Sequence, residues 1–232
     1  MGAYPAYGCL KYIPHRLAGL ALVCPFVHYW WPCLPSDLSQ KALKKLQVQD
    51  QWAFRVAHYA PWLFYWWMTQ KWFPTLSAVS GNSAIFSRRD LEIIKKLSEV
   101  PPVGQVLDLF ISKHYIFFIL FKERTLAVLK SSSWFQEKIR QQSVHESLHR
   151  DIMVGYGKWE FDPLDLSNPF PDSEGSVHLW QGYEDRIIPF EVNRFISEKL
   201  PWIKYHEVPH SGHLMFFDQS ICDSILRALL CG

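Results

Sequence analysis

Two loops in the last quarter of this 232-residue chain hold a carboxylate and an imidazole in an order that could move protons. The first is Gly182-Tyr183-Glu184-Asp185-Arg186-Ile187-Ile188-Pro189 and the second is Pro209-His210-Ser211-Gly212-His213. Asp185 precedes His213 by 28 residues, with a helix and a strand expected between them. A carboxylate in that place fixes the tautomer of the imidazole and stabilises the imidazolium, while the imidazole takes and returns a nucleophile's proton. His210 shares the loop with His213 but lacks a preceding glycine, so His213 is the expected base.

A second constellation competes with the first. His145-Glu146-Ser147-Leu148-His149 fits H-E-x-x-H, which on a helix sets two imidazoles on one face as zinc ligands with a glutamate beside them as general base. Gln141 and Gln142 before it and Arg150 and Asp151 after it suggest a solvated helix. Ile152 and Gly155 stand where the extended motif wants glycine and histidine. A third ligand would have to be Glu160, Glu174 or His178, none at a diagnostic spacing. With ten histidines in the chain an accidental match is the expected reading, and no metal or other cofactor is expected.

The elements that must position these groups follow from periodicity. Ala3 to Tyr12 suits a short helix stopped by Pro14, and Leu17 to Val27, "LAGLALVCPFV", reads as a strand buried on both faces. Pro32 and Pro35 break the chain, and Ser36 or Asp37 can cap the helical stretch after them. From Leu38 to about Gly155 the pattern is mostly helical, with an aromatic centre interrupted at Pro61 and Pro74. Within it, the apolar stretch Tyr115 to Phe121 is far shorter than the ~20 residues of a membrane span. Beyond Gly155, strand (Val177 to Trp180), helix (Phe190 to Leu200), strand ("IKYHEVP") and helix (Asp218 to Leu230) alternate, which predicts a parallel α/β sheet. Functional groups of such sheets gather beyond the carboxyl ends of the strands, where both loops lie.

Composition narrows the function classes. A formal charge of +2 from 24 basic and 22 acidic residues supplies no basic stripe for phosphates, so nucleic acid is not an expected partner. Eleven Trp, ten Tyr and sixteen Phe suit a filled core, an apolar pocket, a lid or a membrane-facing surface. Five cysteines without a C-x-x-C pair suggest reduced thiols, and no charged segment followed by an apolar one opens the chain, so an intracellular place is expected rather than secretion.

The combined pattern, strand then G-x-x-D-x-x-x-P, strand then P-x-x-G-H, resembles the α/β-hydrolase superfamily. It is most similar to a plant lipase/esterase-like group, from Met1 to about Phe73 and again from Gln136 to Leu230. In that family the nucleophile stands in a G-x-S-x-G elbow, and in this group the residues after the serine look like Met-Gly-Ala-Tyr-Pro. The resemblance thus places the nucleophilic serine immediately before Met1, makes the Met1 backbone N–H one oxyanion donor, and assigns Asp185 and His213 as acid and base. It implies residues 1–35 as a post-elbow helix and strand, 36–155 as a helical, aromatic-rich lid with an insertion at about 103–129, and 156–232 as the part carrying acid and base. The fold so implied is a partial hydrolase sheet of the last three parallel strands. The implied parent activity is hydrolysis of a lipid or carboxyl ester, with this chain truncated and inactive and contact with a membrane surface possible. A non-catalytic lipid- or partner-binding pseudo-enzyme and a zinc metallopeptidase using His145 and His149 are the alternatives.

Overall fold

The apolar run at Leu17–Val27 becomes a strand over four residues only, β1 (Leu20–Val23), in the computed structural model, which describes residues 3–80, 82–98 and 146–231. Met1, His145 and the expected insertion at 103–129 lie outside the described residues. Two features stop the strand. Cys24 adopts a left-handed backbone with φ 44°, and Pro25 follows, which has no N–H to offer a ladder. The expectation of burial on both faces is also corrected: Leu22 is buried and its three strand neighbours are half-buried. The reason is position, because β1 lies at the sheet edge, with β2 on one side and no strand on the other among the described residues.

β2 (Val177–Gly182) is the central strand of a three-stranded parallel sheet of order β1-β2-β3, with β3 at Ile203–Val208. Leu20 pairs with Val177, and Val177 with Ile203, so the three strands run in one direction and end together. All six β2 residues are buried. Val177 and Leu179 join the main core, while Trp180 joins a second cluster with Cys24, Met215 and Ile225. This two-sided burial is what a strand covered by helices on both faces requires.

Helices supply that cover. α1 (Ala3–Tyr12) packs beside β1; α2 (Ser36–Lys45), α3 (Val48–Tyr59), α4 (Pro61–Thr69), α5 (Ser77–Ser80), α6 (Arg88–Ser98) and α7 (Glu146–Tyr156) come next in order. α8 (Phe190–Lys199) connects β2 to β3, and α9 (Gln219–Cys231) packs on β1 and β2. Pro61 opens α4, where the missing N–H costs no helical bond. Pro35 takes the cap position of α2, and Ser36, expected as a cap, is instead its first helical residue.

α7 departs from the solvated helix that its polar flanks suggest. It packs on α3 and α4, with Ile152 and Tyr156 buried and the His149 ring stacked on Phe64 at 5.7 Å. His149, Ile152 and Tyr156 form an i, i+3, i+7 stripe, and that periodicity decides which face turns inward. Tyr156 meets Phe54 at 4.4 Å between ring centroids, and His28 and His58 donate to the carbonyls of Gly157 and Tyr156. These bonds tie the end of α7 to the segment after β1 and to α3. No helix among the described residues is long and apolar enough to cross a membrane.

Candidate active site

The carboxyl ends of β2 and β3 are held against each other at a glycine. A Cβ at Gly182 would lie 2.5 Å from the carbonyl oxygens of both Ser211 and Gly212, so only glycine lets the β2 end approach the following loop this closely. The approach is sealed by backbone bonds, Tyr183 N–H to the Val208 carbonyl at 3.1 Å and Glu184 N–H to the Ser211 carbonyl at 2.9 Å. The two loops read from the sequence thereby form one surface.

Asp185 sits in that surface with its carboxylate fully buried. Its Oδ1 accepts from the N–H groups of Ile187 at 2.8 Å and Ile188 at 2.9 Å. Its Oδ2 accepts from Gln181 Nε2 at 3.3 Å and from His213 Nδ1 at 2.9 Å. Gln181 is oriented in turn by Asn193 of α8, whose Nδ2 donates to Gln181 Oε1 at 2.8 Å and to the Pro25 carbonyl at 3.0 Å. A chain of buried polar groups so runs from the segment after β1 through α8 and β2 to the imidazole. The donors at its end spare Asp185 the cost of a lone buried carboxylate.

The ionised carboxylate can only accept, so Nδ1 of His213 carries the proton and Nε2 keeps its lone pair. The His213 side chain is 26% exposed. Burial works to lower its pKa, but the charge and hydrogen bond of Asp185 override it, with Asp90 adding, and the imidazole is raised above its ordinary 6.5. His210 differs on each count: its side chain is 93% exposed, its backbone is left-handed, and it faces Glu184 at the surface. Ser211 is buried.

Asp90 is a residue that the sequence reading missed. It is fully buried at the start of α6 and forms a reciprocal cap with Ser87: Ser87 N–H donates to its carboxylate at 2.9 Å, and Asp90 N–H donates to Ser87 Oγ at 3.1 Å. The same carboxylate accepts from the backbone N–H of His213 at 3.2 Å and of Leu214 at 2.7 Å. The loop that carries His213 is therefore pinned by a helix cap. The signal available was Ser-x-x-Asp at 87–90 opening an amphipathic helical run.

His213 opens on a cavity of about 710 Å³, walled by apolar side chains that include Ala3 and Ala6 of α1, Phe54 of α3, Ile152 of α7 and Ile187. The cavity runs along β1, every residue of which touches it, and Cys24 lies in its wall. The other candidate ligands do not converge: among the described residues His149, Glu160, Glu174 and His178 form no common cluster. Glu160 accepts from Tyr12, and His178 is hydrogen-bonded to His206 and Ser176.

No protein-family model matches this chain, and no curated protein does. A solved structure of a thermophilic esterase from Thermogutta terrifontis, with malate bound, is similar at 15% identity and a TM-score of 0.39, over 98% of this chain and 62% of that one. The chain thus spans less than two thirds of that esterase's length.

Removing the Asp90 carboxylate should be expensive, since each buried N–H left without a partner costs about 1–3 kcal/mol. Asp90→Ala is expected to lower urea-unfolding stability by at least about 2 kcal/mol, against about 0.5 kcal/mol or less for Asp37→Ala in an exposed pair. Equal effects of the two substitutions would contradict the pinning role.

Proposed function

We propose that this chain carries the acid and base of an ester hydrolase that works by nucleophilic acyl transfer, Asp185 orienting and His213 acting as base. One observation carries the reading: the Asp185–His213 pair, with the carboxylate saturated by donors, faces an apolar cavity whose wall also includes Ala3 in the first turn of α1. The resemblance sets the nucleophilic serine immediately before Met1, ahead of that turn. In that arrangement Nε2 of His213 removes the hydroxyl proton as oxygen attacks the ester carbonyl, and Asp185 stabilises the imidazolium so formed. The proton then passes to the leaving alcohol, and a water repeats the sequence to release the acid. The apolar lining suits an acyl group without charge. Residues 36–98 and 146–155 include the part of the chain that would serve as a lid over it.

Without the serine the chain would bind such an ester and not turn it over, which is the pseudo-enzyme form of the same reading. The test extends the chain upstream through a G-x-S-x-G elbow and the sequence before it. The extended protein is expected to react with a fluorophosphonate probe and cleave a p-nitrophenyl butyrate ester, and to lose at least about 10³-fold in rate in His213→Ala and Asp185→Ala. The 232-residue chain is expected to do neither. Labelling of the 232-residue chain that disappears in His213→Ala would place the nucleophile within this sequence and overturn the missing-serine account.

We further propose that the ester arrives from a membrane surface. Trp52, Tyr59, Trp62, Tyr65, Trp66 and Trp72 are all exposed on or just after α3 and α4, and Trp62 and Trp72 are each 80% exposed. Residues 51–89 contain no Asp or Glu, while Arg55 and Lys71 lie among the rings. Trp and Tyr favour the lipid headgroup level, and cations favour anionic lipid. The chain should cosediment with phosphatidylserine-containing vesicles at low salt, and the double substitution Trp62→Ser, Trp72→Ser should weaken this at least about tenfold. No sedimentation with these vesicles, or self-association that the double substitution removes, would contradict a lipid partner.

A further inference from the structure

Cys24 has no part in the chemistry above, yet the fold spends an unusual backbone on it. Its φ of 44° is left-handed, a region that residues with a side chain seldom enter. The conformation is held from both sides. Its N–H donates to the Trp180 carbonyl at 2.8 Å, prolonging the β1–β2 ladder by one residue, and the Pro25 carbonyl is fixed by Asn193. The turn delivers the thiol to the wall of the cavity, next to the site at the β2 end. Sγ of Cys24, a carboxylate oxygen of Asp185 and an imidazole nitrogen of His213 all lie within 4.8 Å of one another.

Thiol, imidazole and carboxylate are the three side-chain types that bind zinc. Four-coordinate zinc with bonds of ~2.0–2.3 Å sets its ligand atoms ~3.3–3.8 Å apart, so the widest separation needs to close by ~1–1.5 Å, while the 2.9 Å Asp185–His213 pair opens by about half an ångström as the cation replaces the proton between them. A sulfur ligand selects zinc or cadmium over magnesium or calcium. The cavity beside Cys24 and His213 leaves room for water in the fourth position. We propose that Cys24, Asp185 and His213 form a binding site for a thiophilic divalent cation, with zinc as the natural occupant. On binding, the thiol loses its proton to solvent, the His213 proton moves from Nδ1 to Nε2 so that Nδ1 coordinates, and the Asp185 oxygen that had accepted that proton coordinates beside it.

A second consequence rests on the proposed hydrolase reading. A cation on this imidazole removes it from proton transfer, so bound zinc and the base role exclude each other. Burial and the Asp185 charge push the Cys24 thiol well above its ordinary value, so the metal-free thiol stays protonated and is a poor nucleophile. The cation, by replacing that proton, gives the sulfur its strongest use.

The test uses the whole metal-stripped chain and needs no ester. Cadmium titration should produce the near-ultraviolet thiolate-to-metal absorption band at one equivalent, and zinc should displace it. Cys24→Ala, Asp185→Asn and His213→Gln should each weaken binding at least about tenfold, while Cys9→Ser and His149→Gln leave it unchanged. A measurement without substitution guards against a misfolded variant: zinc should protect Cys24, and not Cys9, from N-ethylmaleimide, read by peptide mass spectrometry. No band, a band that survives Cys24→Ala, or a band lost in His149→Gln would each overturn the site. Because the readout is binding, a failure of the hydrolase reading leaves the result standing, and loss of esterase activity cannot be mistaken for loss of metal.

Discussion

Everything at the candidate site depends on keeping one buried carboxylate charged. Asp185 has a side chain with no exposure, and an ion taken out of water in this way is tolerated only if its lone pairs are filled. Four donors fill them, and they come from three separate constraints. The Ile187 and Ile188 N–H groups require the turn after β2; Gln181 requires β2 to end where it does; His213 requires the loop after β3. The parallel order of the sheet brings these together, because strands running one way end on the same side.

The supports of that carboxylate reach across the molecule. Asn193 ties Gln181 to the carbonyl of Pro25, so the turn that ends β1 also helps aim the acid at the end of β2. Asp90, from α6, holds the backbone of His213 from the opposite side. Two buried carboxylates therefore serve one imidazole, one through its ring and one through its main chain. The same arrangement leaves β1 half-covered, with its whole length along an apolar cavity, and leaves the thiol of Cys24 beside the pair.

Part of this was legible in the sequence. Alternating strands and helices after Gly155 predicted the parallel sheet, and the two loops with Asp185 and His213 stood at the strand ends that such a sheet brings side by side. The missed parts have different physical causes, and for Asp90 the deciding contact lies far along the chain. Asp90 is 123 residues from His213, and nothing local marks its second pair of hydrogen bonds. The length of β1 depended on the left-handed turn at Cys24, which the apolar run "LAGLALVCPFV" hides. The inward face of α7 was readable from the spacing of His149, Ile152 and Tyr156, but its charged flanks pointed the other way.

The pairing of Asp185 with His213 has a direct electrostatic signature. A group raised in the folded state contributes stability that is complete below its unfolded value and lost as pH rises through the folded one. For His213 that contribution is full below pH 6.5 and fades above it. The decisive measurement is an NMR titration of the His213 imidazole, assigned with His213→Gln. The predicted midpoint lies above 6.5 and falls in Asp185→Asn. A midpoint at or below 6.5, or one that Asp185→Asn leaves in place, would contradict the pairing.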